Sequence, residues 1–499
     1  LLMPSEETKP GDPANTQSPS GDPQATTPLG QAQTPPSVIE TLSTNKLVVL
    51  PFKVLGDGGK GDNFSYGLVS DLTMKLQRVP GLTVISQRSA AAQDSTKPFE
   101  EIGQALKVGS IISGDVLESD GDVRVNVKLV DANSGALQWS ESYDGTLEGI
   151  LKLQSQIAQS VAKQLKGVLG VEESASLAKA ETNSAEAYEL YLQGRKLWST
   201  RSSEGFSKAL KLYQQAVELD DQFALAYAGI ADAHSMLSQY GYLSYEEGFP
   251  KARQYVLDAI SLNSELAEAY IALGWIQFAY DWKLKASEQS YRKAIKLNPK
   301  IAQAHQWLGI NLKSQMRYDE AYDSIQLGLE LDPHHPVLLV NFSGAAVELN
   351  KFDEALSAIE KGFDIHPDFK GYWNALYKTH ILKGSSESEI AKVIKDIEGL
   401  NTPNTAILGP LTHYYQKRDK EKFEALLTKW KASAQSKNRS AFPMYSIFDL
   451  GIDGFIKKAD ENYTDNKYLP FGFTHEILLV DHRDNPNYKK FVEKISKGK

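Results

Sequence analysis

Three hydrophobic patterns succeed one another along the chain. From Lys46, Leu47-Val48-Val49-Leu50-Pro51-Phe52 is a short continuous apolar run, as in a strand buried on both faces. Phe64, Leu68, Leu72 and Leu76 then recur every fourth residue, predicting a helix with Asp62 or Asn63 as N-cap and Pro80-Gly81 as its stop. Leu82–Ile85 reads as a second strand, and Phe99, Ile102 and Leu106 share one face of a second helix behind Pro98. Gly109–Leu117 is a third strand. In a fourth, Val123, Val125, Val127 and Leu129 alternate with Arg124, Asn126 and Lys128, and Asp120-Gly121 between the two is a hairpin signal. Asn133-Ser134-Gly135 turns into a fifth strand, Ala136–Tyr143, carrying Trp139, before a long amphipathic helix over Leu147–Leu169. The pattern predicts an α/β domain over residues 44–170, with helices packed on a mixed sheet.

After a polar stretch, Glu172–Ser184, the period becomes helical and repeats. Asn298-Pro299, Asp332-Pro333 and His366-Pro367 are spaced 34 residues apart. The repeat from Ala302 has Leu308-Gly309 at its seventh and eighth places, then Ala321, Ile325, Gly328 and Pro333; the next has Phe342-Ser343, Ala355, Ile359, Gly362 and Pro367 at matching places. Small residues at such places let paired helices approach, and the prolines end the second helix of each pair. A period of 34 residues is that of tetratricopeptide repeats. Upstream units around Leu273-Gly274, Tyr227-Ala231 and Gly194 keep the pattern with insertions, the longest through Gly241-Tyr242-Leu243-Ser244. The fold class expected is therefore an α/β domain followed by an all-α tetratricopeptide solenoid over residues 184–400, five units fading into a sixth at Trp373. Residues 401–499 are expected as a helical region of degenerate repeats.

Composition adds a linker and several exclusions. Eight of the 21 prolines fall between Pro4 and Pro36, among Gly, Ser, Thr, Gln and Asp, so residues 1–43 have too little apolar surface to offset chain entropy and read as a disordered spacer. Lys and Arg number 54 against 63 Asp and Glu, a net charge of −9 with pI near 5.6, so no long-range field draws the molecule to nucleic acid and no direct contact with it is expected. Cysteine is absent, which excludes disulfides, Cys-ligated metals and thiol nucleophiles. The longest apolar runs fall far short of the ~18 residues of a membrane span. A start at Leu1-Leu2 instead of Met suits a processed chain or a piece of a longer one.

Candidate chemistry is sparse. Gly56-Asp57-Gly58-Gly59-Lys60-Gly61 joins a strand to a helix, where a phosphate-binding loop would stand, but Lys60 is followed by Gly and Leu55 occupies the place of the required earlier glycine. It reads as a structural connection. His334-His335 are adjacent and flanked by prolines, without the spacing of a metal site, and read as a surface turn between repeats. No catalytic constellation, metal or cofactor is expected. What repeats of this kind offer is a concave groove lined by the first helix of each pair. Its places fall on Ile271, Trp275 and Phe278, then Gln306, Ile310 and Lys313 with Ser314, then Val340, Val347 and Glu348 with Gly344. The rather apolar mixture suits a protein or peptide partner. Gln306 and Ile310 stand where a clamp for a terminal carboxylate would need Lys and Asn, so a carboxylate tail is disfavoured. The aromatic stripe Trp275, Phe278, Tyr280, Trp282 and Trp307 reads mainly as packing between helices, with Trp275 the best candidate for a groove anchor.

Several motifs carry a family resemblance. Leu47–Phe52, Asn63-Phe64-Ser65-Tyr66-Gly67-Leu68, Pro80-Gly81-Leu82-Thr83-Val84-Ile85, Gly114-Asp115-Val116 and Leu129–Gly135 with Trp139 occur in the order of the TolB N-terminal-like domain, which the segment Lys46–Gly170 resembles. The closing segment Val480–Tyr488 is similar to the end of repeat arrays joined to that domain. The resemblance implies the C-terminal sensory region of a membrane-anchored winged-helix regulator of the CadC and ToxR type, placed in the periplasm and anchored through a segment before Leu1, with oligomerisation open. The same pair of domains also follows class III nucleotide cyclases and Ser/Thr kinases, whose active site would precede Leu1. A free periplasmic assembly factor is the third reading.

Overall fold

Residues 41–55, 60–119, 121–146 and 149–399, with shorter stretches between 410 and 497, are described by the computed structural model. The proline-rich segment up to Glu40, Gly56–Gly59 of the glycine-rich loop and the closing Val480–Asp484 lie outside the described residues.

The first apolar run supplies one strand, β1 (Lys46–Val49), and a second, unforeseen strand, β2 (Lys53–Leu55), follows directly after it. Pro51 stands between them, and its missing N–H cannot join a ladder. Helix α1 (Lys60–Gln77) follows, starting before both expected caps. Then come β3 (Thr83–Val84), a short α2 (Gln87–Ala91), α3 (Phe99–Leu106), β4 (Ser110–Ser119), β5 (Asp122–Asp131), β6 (Leu137–Thr146) and α4 (Ile150–Lys166). The sheet runs β3-β1-β4-β5-β6, with β2 also on β4; β1 is parallel to β3 and β4, while β4, β5 and β6 are antiparallel. Alternation along β1 explains its unbroken hydrophobicity. Leu47 and Val49 join a core with Phe64, Leu68 and Leu72 of α1 and Ile157 and Val161 of α4, whereas Val48 joins Ile85, Ala90, Ile102 and Leu106 on the opposite face.

The polar stretch after α4 holds a helix, α5 (Val171–Ala178), which latches onto α1. Lys75 Nζ on α1 donates to Ser155 Oγ and to the carbonyl of Leu177, both at 2.8 Å, and Arg78 pairs with Glu181 at 2.6 Å.

Six helical hairpins follow among the described residues. They are α6 (Ala185–Ser199) with α7 (Ser203–Leu219), α8 (Ala224–Gln239) with α9 (Tyr245–Leu262), and α10 (Ala267–Ala279) with α11 (Leu284–Leu297). Next are α12 (Ala302–Ser314) with α13 (Tyr318–Leu331), α14 (Pro336–Glu348) with α15 (Phe352–Ile365), and α16 (Gly371–Lys383) with α17 (Glu387–Glu398). The molecule is thus mostly helical, a solenoid-like run of helix pairs behind a small mixed sheet. Glycines set the close approach in three of these pairs: a Cβ on Gly194 or Gly274 would lie within 2.6 Å of the Tyr213 or Tyr291 ring, and one on Gly309 within 2.3 Å of Ile325. No described helix is long and apolar enough to cross a membrane.

Candidate functional site

The expected groove residues are largely covered. Ile271, Trp275, Phe278, Gln306, Ile310, Lys313 and Val347 are buried, and Val340 is half-buried. Glu348 pairs with Lys378 at 2.9 Å. Trp275, the candidate groove anchor, is only 3% exposed, and its ring lies 4.3 Å from Trp307 and 5.8 Å from Phe278 between centroids, packed within the helix stack.

Part of the covering is the sheet domain, which forms one unit with the repeats. Ser86, the N-cap of α2, donates from its backbone N–H to the Leu331 carbonyl at 3.0 Å and from Oγ to Asp332 Oδ1 at 2.5 Å; Ser89 Oγ donates to the same oxygen at 2.5 Å. His334 N–H donates to Ser89 Oγ at 3.0 Å, and Gln93 Nε2 lies 2.9 Å from His334 Nδ1. The turn at His334-His335 is therefore buried under α2 and is not a surface turn. His335 caps α14, its Nδ1 accepting from the N–H groups of Val337 and Leu338 at 3.1 and 3.3 Å. Among the described residues no three His, Asp or Glu side chains converge on a metal-sized site.

Where the two parts meet they leave a cleft of about 450 Å³. Tyr66, Ser70 and Met74 of α1 and Arg88 of α2 form one wall; Arg195 and Trp198 of α6, Arg201 in the turn after it, Lys300, and Gln306 and Trp307 of α12 form the other. Gln306 is the one expected groove residue lining it, while Ile271 lines a second, smaller cavity of about 50 Å³ beside Arg195, Asp232 and Glu268. Burial lowers the Arg88 guanidinium; Asp332 opposes that, and Arg201 and Arg195 add to it, so three guanidinium groups share one field. Burial, then Arg88 and Arg201, push His335 well below the usual imidazole range. Lys300 is lowered to about 8, first by burial and then by Lys166, and its ammonium donates to the Val79 carbonyl at 2.5 Å. Asp232 is raised to about 7 by burial against the pull of Arg195. This cleft was not legible in the sequence, because Arg88 and Arg195 lie 107 positions apart on different architectures and the overall charge is negative.

No family model matches the chain. It is similar to the transcriptional regulator HilA of Salmonella typhimurium, 25% identical over 293 residues that make up 58% of this chain and 51% of HilA. It is also similar to putative adenylate cyclase 3 of Rhizobium meliloti, 24% identical over 210 residues, 41% of this chain and 36% of that protein. The chain thus spans between about a third and a half of the length of these curated relatives. Among solved structures it is similar to YrrB, a TPR protein with an unusual peptide-binding site, with a TM-score of 0.25 and 23% identity, covering 38% of this chain and 91% of that one.

Proposed function

We propose that this chain is a non-catalytic interaction and signal-sensing region of a bacterial signalling protein, binding a protein or peptide partner through its helical repeats. The observation that carries the reading is the array of six helix pairs with a sheet domain docked on its turns. A stack of this kind presents long, rigid faces, and each repeat depends on its neighbours for burial. The relatives add support: one is named a transcriptional regulator and the other a putative adenylate cyclase, and likeness to proteins with different outputs suits an input module. The resemblance to the TolB N-terminal-like domain and to the CadC and ToxR regulators extends the proposal to the periplasmic part of a membrane-anchored transcriptional regulator. The second reading is the regulatory region of a nucleotide cyclase, supported by the cyclase relative.

The test is photo-crosslinking in cells from the exposed α8–α9 turn, with the probe in place of Tyr242, which is 42% exposed. A discrete adduct with one protein is expected. Absence of any adduct from that turn and from exposed Leu257 and Leu327, or turnover of ATP by the purified chain, would overturn the reading. An alkaline phosphatase fusion after Lys499, active only outside the cytoplasm, tests the placement.

A further inference from the structure

Eight arginines lie among the described residues. Arg78, Arg124, Arg253, Arg292 and Arg317 each pair with a carboxylate at 2.6 to 2.8 Å. The three that make no ion pair among the described residues, Arg88, Arg195 and Arg201, all line the cleft between the sheet domain and the repeats. The guanidinium group is always charged, and although the field of Asp232 reaches Arg195 and Arg201 and that of Asp332 reaches Arg88, no carboxylate among the described residues closes an ion pair with any of the three.

Ordinary structural duties do not use up this charge. Asp332 is the acidic neighbour of Arg88, but its Oδ1 already accepts from Ser86 and Ser89, and no ion pair with Arg88 forms. The docking of α2 is thus held by serine hydroxyls and backbone groups. The Arg88 side chain makes no hydrogen bond among the described residues. Arg195 spends one N–H on Tyr191 OH at 3.3 Å, and Arg201 gives Nε and one Nη to Tyr240 OH at 3.2 and 3.1 Å. Most donors of three planar forks remain, and they belong to both sides of the cleft.

We propose that the cleft binds a small organic oxyanion carrying at least two negative charges, a phosphate ester or a polycarboxylate, bridged by Arg88 on the sheet domain and Arg195 and Arg201 on the first repeat. Guanidinium forks match the paired oxygens of both groups in bidentate geometry. A volume of about 450 Å³ lies in the range of small-molecule sites and admits a metabolite. Tyr66, Trp198 and Trp307 supply apolar walls for the organic part. A bridging anion would tie the sheet domain to the repeats, so that ligand is read as docking strength. The inference goes beyond the partner-binding reading and stands without it.

The experiment uses the whole chain in thermal-shift and titration calorimetry with pyrophosphate and with citrate, each against sodium chloride of matched ionic strength. A rise in melting temperature with either one is expected; pyrophosphate alone marks a phosphate ester and citrate alone a polycarboxylate. Arg88→Gln and Arg201→Gln should each weaken binding by about tenfold or more, from loss of charge-assisted hydrogen bonds. Arg88→Gln should also raise the melting temperature of the ligand-free protein, because repulsion from Arg195 and Arg201 is relieved and no side-chain hydrogen bond is lost. A structural arginine would give the opposite pair of results: lower stability and an unchanged ligand response. Failure of both anions to stabilise the chain beyond the salt control, or an undiminished response in both variants, would overturn the proposal. Neither result bears on crosslinking at Tyr242, so the two readings fail separately.

Discussion

At the scale of single residues, the sequence shows which groups exist but not which become buried. His334-His335 between two prolines is a turn in the sequence and a turn in the fold. What the pattern could not show is that α2 lands on it, because the landing site is 241 positions away from Gln93. The consequence is measurable. Burial pushes His334 down to about 4, with Lys361 and His366 adding to the effect. The unfolded chain takes up a proton near pH 6.5 that the folded protein refuses until about pH 4, so stability is full above that range and is lost as pH falls through it. The loss at pH 4 is on the order of 1–3 kcal/mol from this group. Burial pushes Asp332 the opposite way, and comparison of two proteins cancels its contribution. Urea unfolding of the wild type and His334→Gln at pH 7.5 and 4.5 should show the variant losing less on acidification. Equal losses would show that His334 titrates as an exposed imidazole.

At the scale of elements, the sequence was legible where a period repeats and opaque where a turn is imposed by packing. The prolines at 299, 333 and 367 mark the ends of α11, α13 and α15 as expected. A second period ran unseen. Trp282, Met316, Asn350 and Gly384 all have positive φ, 56°, 61°, 58° and 71°, at the turn inside successive hairpins, each 34 residues from the last. Asn and Gly fit that conformation, but Trp and Met do not favour it and only the pairing of the helices imposes it, so no residue-type signal could have shown them. Gly384 also carries the backbone period past Trp373, where the side-chain pattern fades. Glycines within helices separate on the same grounds. Gly274→Ala drives a Cβ to 2.6 Å from the buried Tyr291 ring, and should cost about 1–3 kcal/mol as overpacking. Gly344→Ala meets only the flexible Lys313 Nζ at 3.2 Å, and should gain up to about 1 kcal/mol from helix propensity. Chemical denaturation of both variants checks the contrast; equal effects would mean that the helix register around α10 and α14 is wrong.

At the scale of the whole molecule, the question is whether the sheet domain and the repeats are two bodies or one cooperative unit. Periodicity divides them cleanly, since a β pattern gives way to a helical one, and that division is real as architecture. The contacts across it are of a different order from a linker's. A Cβ on Gly67 of α1 would lie 2.4 Å from Leu192 of α6, Tyr188 OH donates to the buried Asp71 at 2.7 Å, and Lys300 reaches the Val79 carbonyl. With the serine bonds to Asp332, these tie α1, α2 and the end of β3's approach to three separate repeats. Buried groups that lose such partners cost about 1–3 kcal/mol each, so neither side is in its lowest state when the other is removed. Calorimetry should therefore show one main transition for both parts, and Asp332→Ala with Tyr188→Phe should lower it by a common amount. Hydrogen exchange locates the effect: amides of β5, far from the contact, and of α12 should lose protection together. If β5 keeps its full protection while α12 opens, the sheet domain is stable alone, and a ligand in the cleft would then act by bringing together two preformed bodies instead of strengthening one.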